Sequence, residues 1–331
     1  MAIDLKAIKP HKVSRDLRGY SVFFYGEPKT GKTTIASKFP KALLLAFEKG
    51  YNALPGVMAQ PINSWAEFCQ VINQLKNDEI KEMYETIIVD TADIAYEYCE
   101  KFICSNNGGV KAVADIPYGK GYTLVSKEFD EKLRSVVQMG YGIILISHAT
   151  DKVFTDENGQ EYNKIVSTLD KRGNRIVGRM ADIIGYSRSV TDADGNDKTL
   201  LFMRGTPRFE AGSRFKYTPN YIEFNYANLT KAIADAIEQQ AKEDGQELFT
   251  DQRENAYIDT TSHLDFDELM NEFKELIDGF SKDEEKMANY YAPRITEIIE
   301  NYLGAGKKVN EMNRGQAEQL VLILDDLKKL S

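Results

Sequence analysis

Residues 26–33 read GEPKTGKT and follow directly on the apolar run YSVFFY at 20–25. Gly26, Gly31, Lys32 and Thr33 take the four specified places of GxxxxGK[ST]; Glu27, Pro28, Lys29 and Thr30 fill the loop between them, and Thr34 continues into a helix. The glycines let backbone N–H groups curl around an anion at the positive end of that helix. Lys32 then reaches the outer phosphates, and the Thr33 hydroxyl ligates Mg²⁺. The expected ligands are ATP and Mg²⁺.

A magnesium-bound triphosphate also needs a carboxylate at the tip of a neighbouring strand to hold the metal's water shell. TIIVD at 86–90 supplies Asp90. Hydrolysis further needs a base or water-orienting group, and Glu48 stands one place beyond the run ALLLAF at 42–47. His148 closes GIILIS at 142–147 in the same fashion, an uncharged donor placed to sense the γ-phosphate. All three sit where parallel strands end, the side on which α/β sheets bind ligands.

The elements that must position these residues alternate in the manner of a parallel sheet flanked by helices. Strands are expected at 20–25, 42–47, 57–62, 84–89 and 142–147, and helices at 32–39, 65–76 (capped by Asn63 or Ser64), 92–103 and 123–138. SNNGGVKAVADIPYGKGY at 105–122 breaks the rhythm and reads as a long loop. After Ser147 the pattern turns to hairpins, with turns at DENGQ (156–160) and DADGND (192–197), and a helix is expected from Asn228.

Strand, GEPKTGKT, helix, then strands ending in Glu48, Asp90 and Ser147–His148 together resemble the RecA core, and among such proteins the compact RecA-like ATPases that phages encode for single-strand annealing or recombination. The resemblance covers roughly residues 15–230. It implies that Glu48 activates water and that Asp90 is the second magnesium carboxylate. His148 stands where RecA has a glutamine that couples the γ-phosphate to DNA-binding loops. It also implies two loops on single-stranded DNA, here 105–122 with Lys111, Tyr118, Lys120 and Tyr122, and Ala149 to about Arg179.

In the second of these segments, Arg172, Arg175 and Arg179 have i, i+3, i+7 spacing and share one face if a helix forms. That face suits either a phosphate backbone or a neighbouring subunit's nucleotide. FMRGTPRFEAGSRFK at 202–216, with Arg208 and Arg214, is a second candidate for a contact in trans, and the sequence does not choose between the two groups. The reading is therefore a DNA-binding ATPase that forms a homo-oligomer, ring or filament. Two alternatives stand beside it. One is a P-loop small-molecule kinase, which needs an arginine-rich lid not legible between Asp90 and Gly142. The other is a nucleotide-switched protein-binding module with little turnover.

The expected fold class is α/β, a RecA-like P-loop core with a mostly parallel sheet over 1–242, a polar linker over 243–262, and a small all-α domain over 263–331 with helices at 264–279, 283–303 and 314–330. Net charge is −9 over 331 residues, but residues 231–331 hold 12 lysines and arginines against 23 acidic residues. The acid therefore sits in the tail, leaving the first unit near neutrality and free to meet a polyanion, while the tail suits a basic protein partner. Three cysteines without CxxC spacing speak against zinc and a disulfide framework, and the apolar runs are only strand-length. A cytoplasmic protein without a membrane span is expected.

Overall fold

A computed structural model of the chain describes residues 10–192, 194–251 and 264–330. These divide into two compact units, one within residues 10–251 and the other within 264–330.

In the large unit the strands are β1 (Val13–Ser14), β2 (Ser21–Gly26), β3 (Ala42–Ala46), β4 (Ala59–Pro61), β5 (Thr86–Asp90), β6 (Gly142–Thr155), β7 (Glu161–Ser167), β8 (Ile183–Thr191), β9 (Asp197–Phe202), β10 (Gly212–Ser213), β11 (Tyr221–Glu223) and β12 (Phe249–Thr250). The helices are α1 (Lys32–Ala36), α2 (Trp65–Gln74), α3 (Asp78–Met83), α4 (Ala92–Asn106), α5 (Lys120–Gln138), α6 (Lys171–Met180) and α7 (Tyr226–Asp244). The main sheet runs β11-β9-β8-β2-β6-β5-β3-β4, parallel from β8 through β4, with β9 and β11 antiparallel at one edge.

Strands buried on both faces read as continuous apolar runs, and each face takes alternate residues. Phe23, Tyr25, Leu45, Val89 and Leu145 face α2, α4 and α5, where Trp65, Phe68, Tyr96 and Phe129 close one core. Val22, Phe24, Leu44, Ile88 and Ile144 face α1 and α7, where Ile35, Ile233 and Ile237 close the other. Phe24, Phe68 and Phe129 are fully buried, so truncating any one to alanine costs about 3–5 kcal/mol.

Register then aligns the strand tips. Gly26 pairs with His148, Ile146 with Asp90, and Asp90 with Ala46, two residues before Glu48. β6, ending the apolar run at Ser147, lies between the strand that feeds the phosphate loop and the strand that ends in Asp90.

Several boundaries move. α1 is only five residues long where a helix to Phe39 is expected. α7 starts at Tyr226, two residues early, because Asn225 rather than Asn228 caps it by accepting from the Asn228 N–H. Ser64 caps α2 by accepting from the Glu67 N–H. The loop expected at 105–122 is largely structured: α4 reaches Asn106, two 3₁₀ turns follow, and α5 opens at Lys120. The hairpin expected around 156–160 forms as β6–β7, so the segment 149–179 read as a second DNA loop is this hairpin followed by α6. β6 runs on past His148 for seven residues because β7 covers its edge from Ala149 to Thr155. The linker expected over 243–262 also starts later. α7 continues to Asp244, and Phe249–Thr250 pair in parallel with Val13–Ser14, burying Phe249 in the core. The rest of that span, 252–262, lies outside the described residues.

Residues 264–330 are helical throughout their regular elements: α8 (Phe266–Ser281), α9 (Glu284–Lys286), α10 (Ala292–Leu303) and α11 (Ala317–Lys328). Phe280, Ile295, Leu320, Ile323, Leu324 and Leu327 form their core. The single helix expected over 283–303 is interrupted by a π-turn at Met287–Tyr291 before Pro293, which has no N–H to continue an α-helical ladder. No helix among the described residues is long and apolar enough to cross a membrane.

Candidate functional site

The loop from Gly26 to Thr34 is shaped by backbone conformations and contacts that its residue types explain. Gly31 caps α1 with φ +83°, a left-handed conformation that glycine adopts without cost. At Gly26 a side chain is excluded outright, since a Cβ there would lie 2.1 Å from the Ser187 carbonyl on β8. Glu27 N–H donates to that same carbonyl (3.2 Å), so β8 braces the loop from the side. Thr30 Oγ1 donates to the Glu27 carbonyl (2.9 Å) and lies 2.8 Å from Ser187 Oγ, closing the bottom of the loop. The first N–H groups of α1 have no partners within the helix, which leaves them free to bind an anion.

Lys32 is only 6% exposed and spans the loop, its Nζ donating to the carbonyls of Glu27 (2.7 Å) and Gly26 (3.1 Å). Burial pushes its pKa down to about 8, against the opposing pull of Asp90, Glu48, Asp93 and Glu27. An ammonium held in so dry a place gains from any anion that enters beside it.

Thr33 Oγ1 donates to Asp90 Oδ2 at 2.7 Å, joining the loop to the tip of β5. Asp90 is buried, and that burial raises its pKa, with the Thr33 hydrogen bond acting the other way. Hydroxyl and carboxylate oxygens side by side are hard ligands suited to Mg²⁺. One strand further on, the N–H groups of Phe47 and Glu48 both donate to the Asp90 carbonyl (2.7 and 3.2 Å), which fixes where the Glu48 side chain starts. Glu48 Oε1 accepts from the Thr91 hydroxyl (3.2 Å) and lies 3.5 Å from His148 Nε2. The strand tips thus bring Lys32, Thr33, Glu48, Asp90 and His148 to one place.

Asp93 belongs to this cluster and escapes a reading based on strand ends, because it sits in the first turn of α4. Its Oδ1 accepts from Thr168 Oγ1 (2.5 Å) and Ser147 Oγ (3.0 Å), tying the start of α4 to the end of the apolar part of β6 and to the segment between β7 and α6. Burial raises its pKa. Asp93 Oδ2 and His148 Nδ1 are buried without a hydrogen-bond partner among the described residues, so the cluster keeps polar capacity for an incoming group. The signal was present in TIIVDTAD as an acid in the first turn of the next helix. Arg188, just beyond Ser187 on β8, is also new, its Nε 3.6 Å from Glu27 Oε1 beside the loop.

The basic residues separate into two places. Arg172 and Arg175 are exposed on α6, and the Arg172 guanidinium lies 4.1 Å from the ring centre of Tyr122 on α5, so the two segments read as DNA loops meet here. Lys120 lies 5.8 Å from the ring centre of Tyr118, which is 94% exposed and held at φ +62°. Arg208 is exposed on the phosphate-loop side of the sheet, its carbonyl accepting from Ile165 on β7. Arg214 does not join them. It pairs with Asp182 (3.1 Å) and donates to the Arg179 carbonyl (3.0 Å) where β8 begins, the sheet edge opposite the phosphate loop. Arg179 ends α6 at the same edge, because seven residues carry a helix about 10 Å along its axis.

The family model described as an AAA domain matches residues 18–215. An uncharacterized SPbeta prophage-derived protein of Bacillus subtilis (strain 168), YorG, is 36% identical over 341 residues, an alignment covering 100% of this chain and 99% of that one.

Proposed function

This chain belongs to the AAA domain family, and we propose that within it the chain is a phage-type, RecA-like ATPase that hydrolyses ATP and binds single-stranded DNA as a homo-oligomer in recombination or strand annealing. The observation that carries the reading is the tip geometry: Glu48 is anchored to the β5 tip, beside His148 and one strand from the Thr33–Asp90 pair. Lys32 and the N–H groups of α1 hold the β- and γ-phosphates. Thr33 and Asp90 hold Mg²⁺, which when bound offsets the charge on the transferred phosphoryl group. Glu48 accepts the proton of the attacking water as its oxygen bonds to the γ-phosphorus and the bond to the β-phosphate oxygen breaks. His148, touching Glu48 on one side and standing at the base of the β6–β7 hairpin on the other, carries the state of the site outward.

ATP binding needs a charged Lys32, and its burial makes that charge pH-dependent. The ammonium is fully present only well below pH 8 and is lost as pH rises through that value, so affinity falls toward high pH. With a pKa of about 8, binding at pH 9 is about tenfold weaker than at pH 7. Titrations of ATP at the two pH values check this, and equal affinities would place Lys32 outside the binding step.

DNA binding is supported by two exposed pairs at the start of α5, Lys120 beside Tyr118 and Arg172 beside Tyr122, where aromatic rings lie beside cations as single-strand binding requires. A tyrosine held in the left-handed region at almost full exposure stores strain, as functional sites do. Replacing Tyr118 and Tyr122 with alanine removes about 1–3 kcal/mol of binding per stacked base. Replacing Arg172 and Arg175 lowers the slope of log affinity against log salt by about 0.7 per lost phosphate contact. Fluorescence anisotropy with a labelled oligo(dT) at several salt concentrations reads both. If DNA affinity stands while cooperativity in ATP disappears, the arginines serve a neighbouring subunit instead. The acidic helical unit fits a basic protein partner by charge.

A further inference from the structure

The large unit has a cavity of about 500 Å³ at the sheet edge where β2 and β8 begin, opposite the phosphate loop. Its size falls within the range of sites that bury small organic ligands. Val13, Val137, Met180 and Phe215 give it apolar walls, and Tyr20 meets Phe215 edge to face at 5.0 Å. Its charged groups come from four separate parts of the chain: Lys12 ahead of β1, Arg134 on α5, Arg179 at the end of α6, and Arg214 with Asp182 around β8 and β10.

Their pairing leaves the cavity positive. Asp182 is spent twice over, accepting from the Ser21 N–H (2.7 Å) and pairing with Arg214 (3.1 Å). Arg134 pairs with Asp130 (2.8 Å). The Arg179 guanidinium and the Lys12 ammonium make no ion pair among the described residues. Arg179 is also held in position, since its carbonyl accepts from Arg214. A guanidinium and an ammonium, both without an ion pair among the described residues, lining a hollow with apolar and aromatic walls select a ligand with a flat body and an anionic head, and a guanidinium fork matches phosphate best.

We propose that this cavity is a second binding site, separate from the phosphate loop, for a small phosphorylated aromatic of the nucleoside monophosphate class. The body lies against Phe215, Tyr20 and Met180, and the phosphate meets Arg179 and Lys12. This site needs neither hydrolysis nor DNA binding at the strand tips, so it stands or falls apart from the ATPase reading.

The test uses the full chain carrying Lys32→Ala, which removes nucleotide binding at the phosphate loop, and three probes in calorimetric titration: thymidine 5′-monophosphate, thymidine and inorganic phosphate. The expected result is one bound thymidine monophosphate per chain, with thymidine and phosphate each at least tenfold weaker. Adding Arg179→Gln or Lys12→Gln, both at surface positions, is expected to weaken the monophosphate at least tenfold while the circular dichroism spectrum is unchanged. No binding of the monophosphate to the Lys32→Ala protein overturns the proposal, and so does binding that both glutamine variants leave intact. Phosphate binding as tightly as the monophosphate refutes the role of the aromatic wall.

Discussion

Replacing Glu48 with glutamine is expected to leave ATP bound and to lower turnover by about 10²–10⁴-fold, the usual worth of a positioned general base. The substitution keeps the volume and the carbonyl oxygen that accepts from Thr91, so the strand tip retains its shape. It removes the group able to take a proton from water. Asp90 cannot stand in, because its Oδ2 is committed to Thr33 2.7 Å away and its place is among the metal's ligands. Asp93 is the residue to set against it, since its Oδ1 accepts from Thr168 and Ser147 while its Oδ2 is free of partners among the described residues, so Asp93→Asn serves as the control. Single-turnover measurements with equilibrium ATP binding on the same protein separate the two effects. A variant that binds ATP and hydrolyses it at the parental rate assigns the base to another residue.

The second large effect is the loss of ATP binding in Lys32→Ala, expected at about 100-fold or more, since a buried ammonium facing a polyanion contributes several kcal/mol through charge-assisted hydrogen bonds. Two features add to it. Lys32 sits in a dry place, where the charge interaction is weakly screened. Its Nζ also ties together the carbonyls of Gly26 and Glu27, so alanine loosens the loop. Folding is not at risk, because removing a buried cation relieves a desolvation penalty. Equilibrium dialysis with ATP and Mg²⁺ measures the effect, and an affinity within threefold of the parent would move the phosphate contacts elsewhere.

How far the sequence could be read depended on whether a feature was local. The phosphate loop is local: glycine conformations, the lysine and the hydroxyl are all spelled out within eight residues, and the apolar run before them makes the strand. Strand tips are nearly so, since an apolar run of five or six residues ends where a polar one begins, which makes Glu48, Asp90 and His148 legible. Asp93 was missed because its role comes from Thr168, 75 positions away, and from the end of β6. The extension of β6 to Thr155 is partly local, since the turn at 156–160 announces a hairpin, but its length is set by the pairing of residues 149–155 with β7. For the same reason, the expected linker lost its first residues to a two-residue pairing with β1 that no local pattern announces.

The arginines show the limit most clearly. Helical spacing placed Arg172, Arg175 and Arg179 on one face, and α6 does form. Two turns of helix nevertheless carry Arg179 to the other edge of the sheet, where Arg214 meets it. Spacing tells which side of a helix a residue occupies, not which end of the molecule that helix reaches.

The reading as a whole rests on a link between the strand-tip site and the aromatic and basic face formed by α5 and α6. The most direct test is ATP turnover by the full chain at saturating ATP and Mg²⁺, with and without oligo(dT). The account predicts a rate that rises several-fold with single-stranded DNA and loses that rise when Tyr118, Tyr122 and Arg172 are replaced by alanine. A rate indifferent to DNA in the parental protein would contradict it.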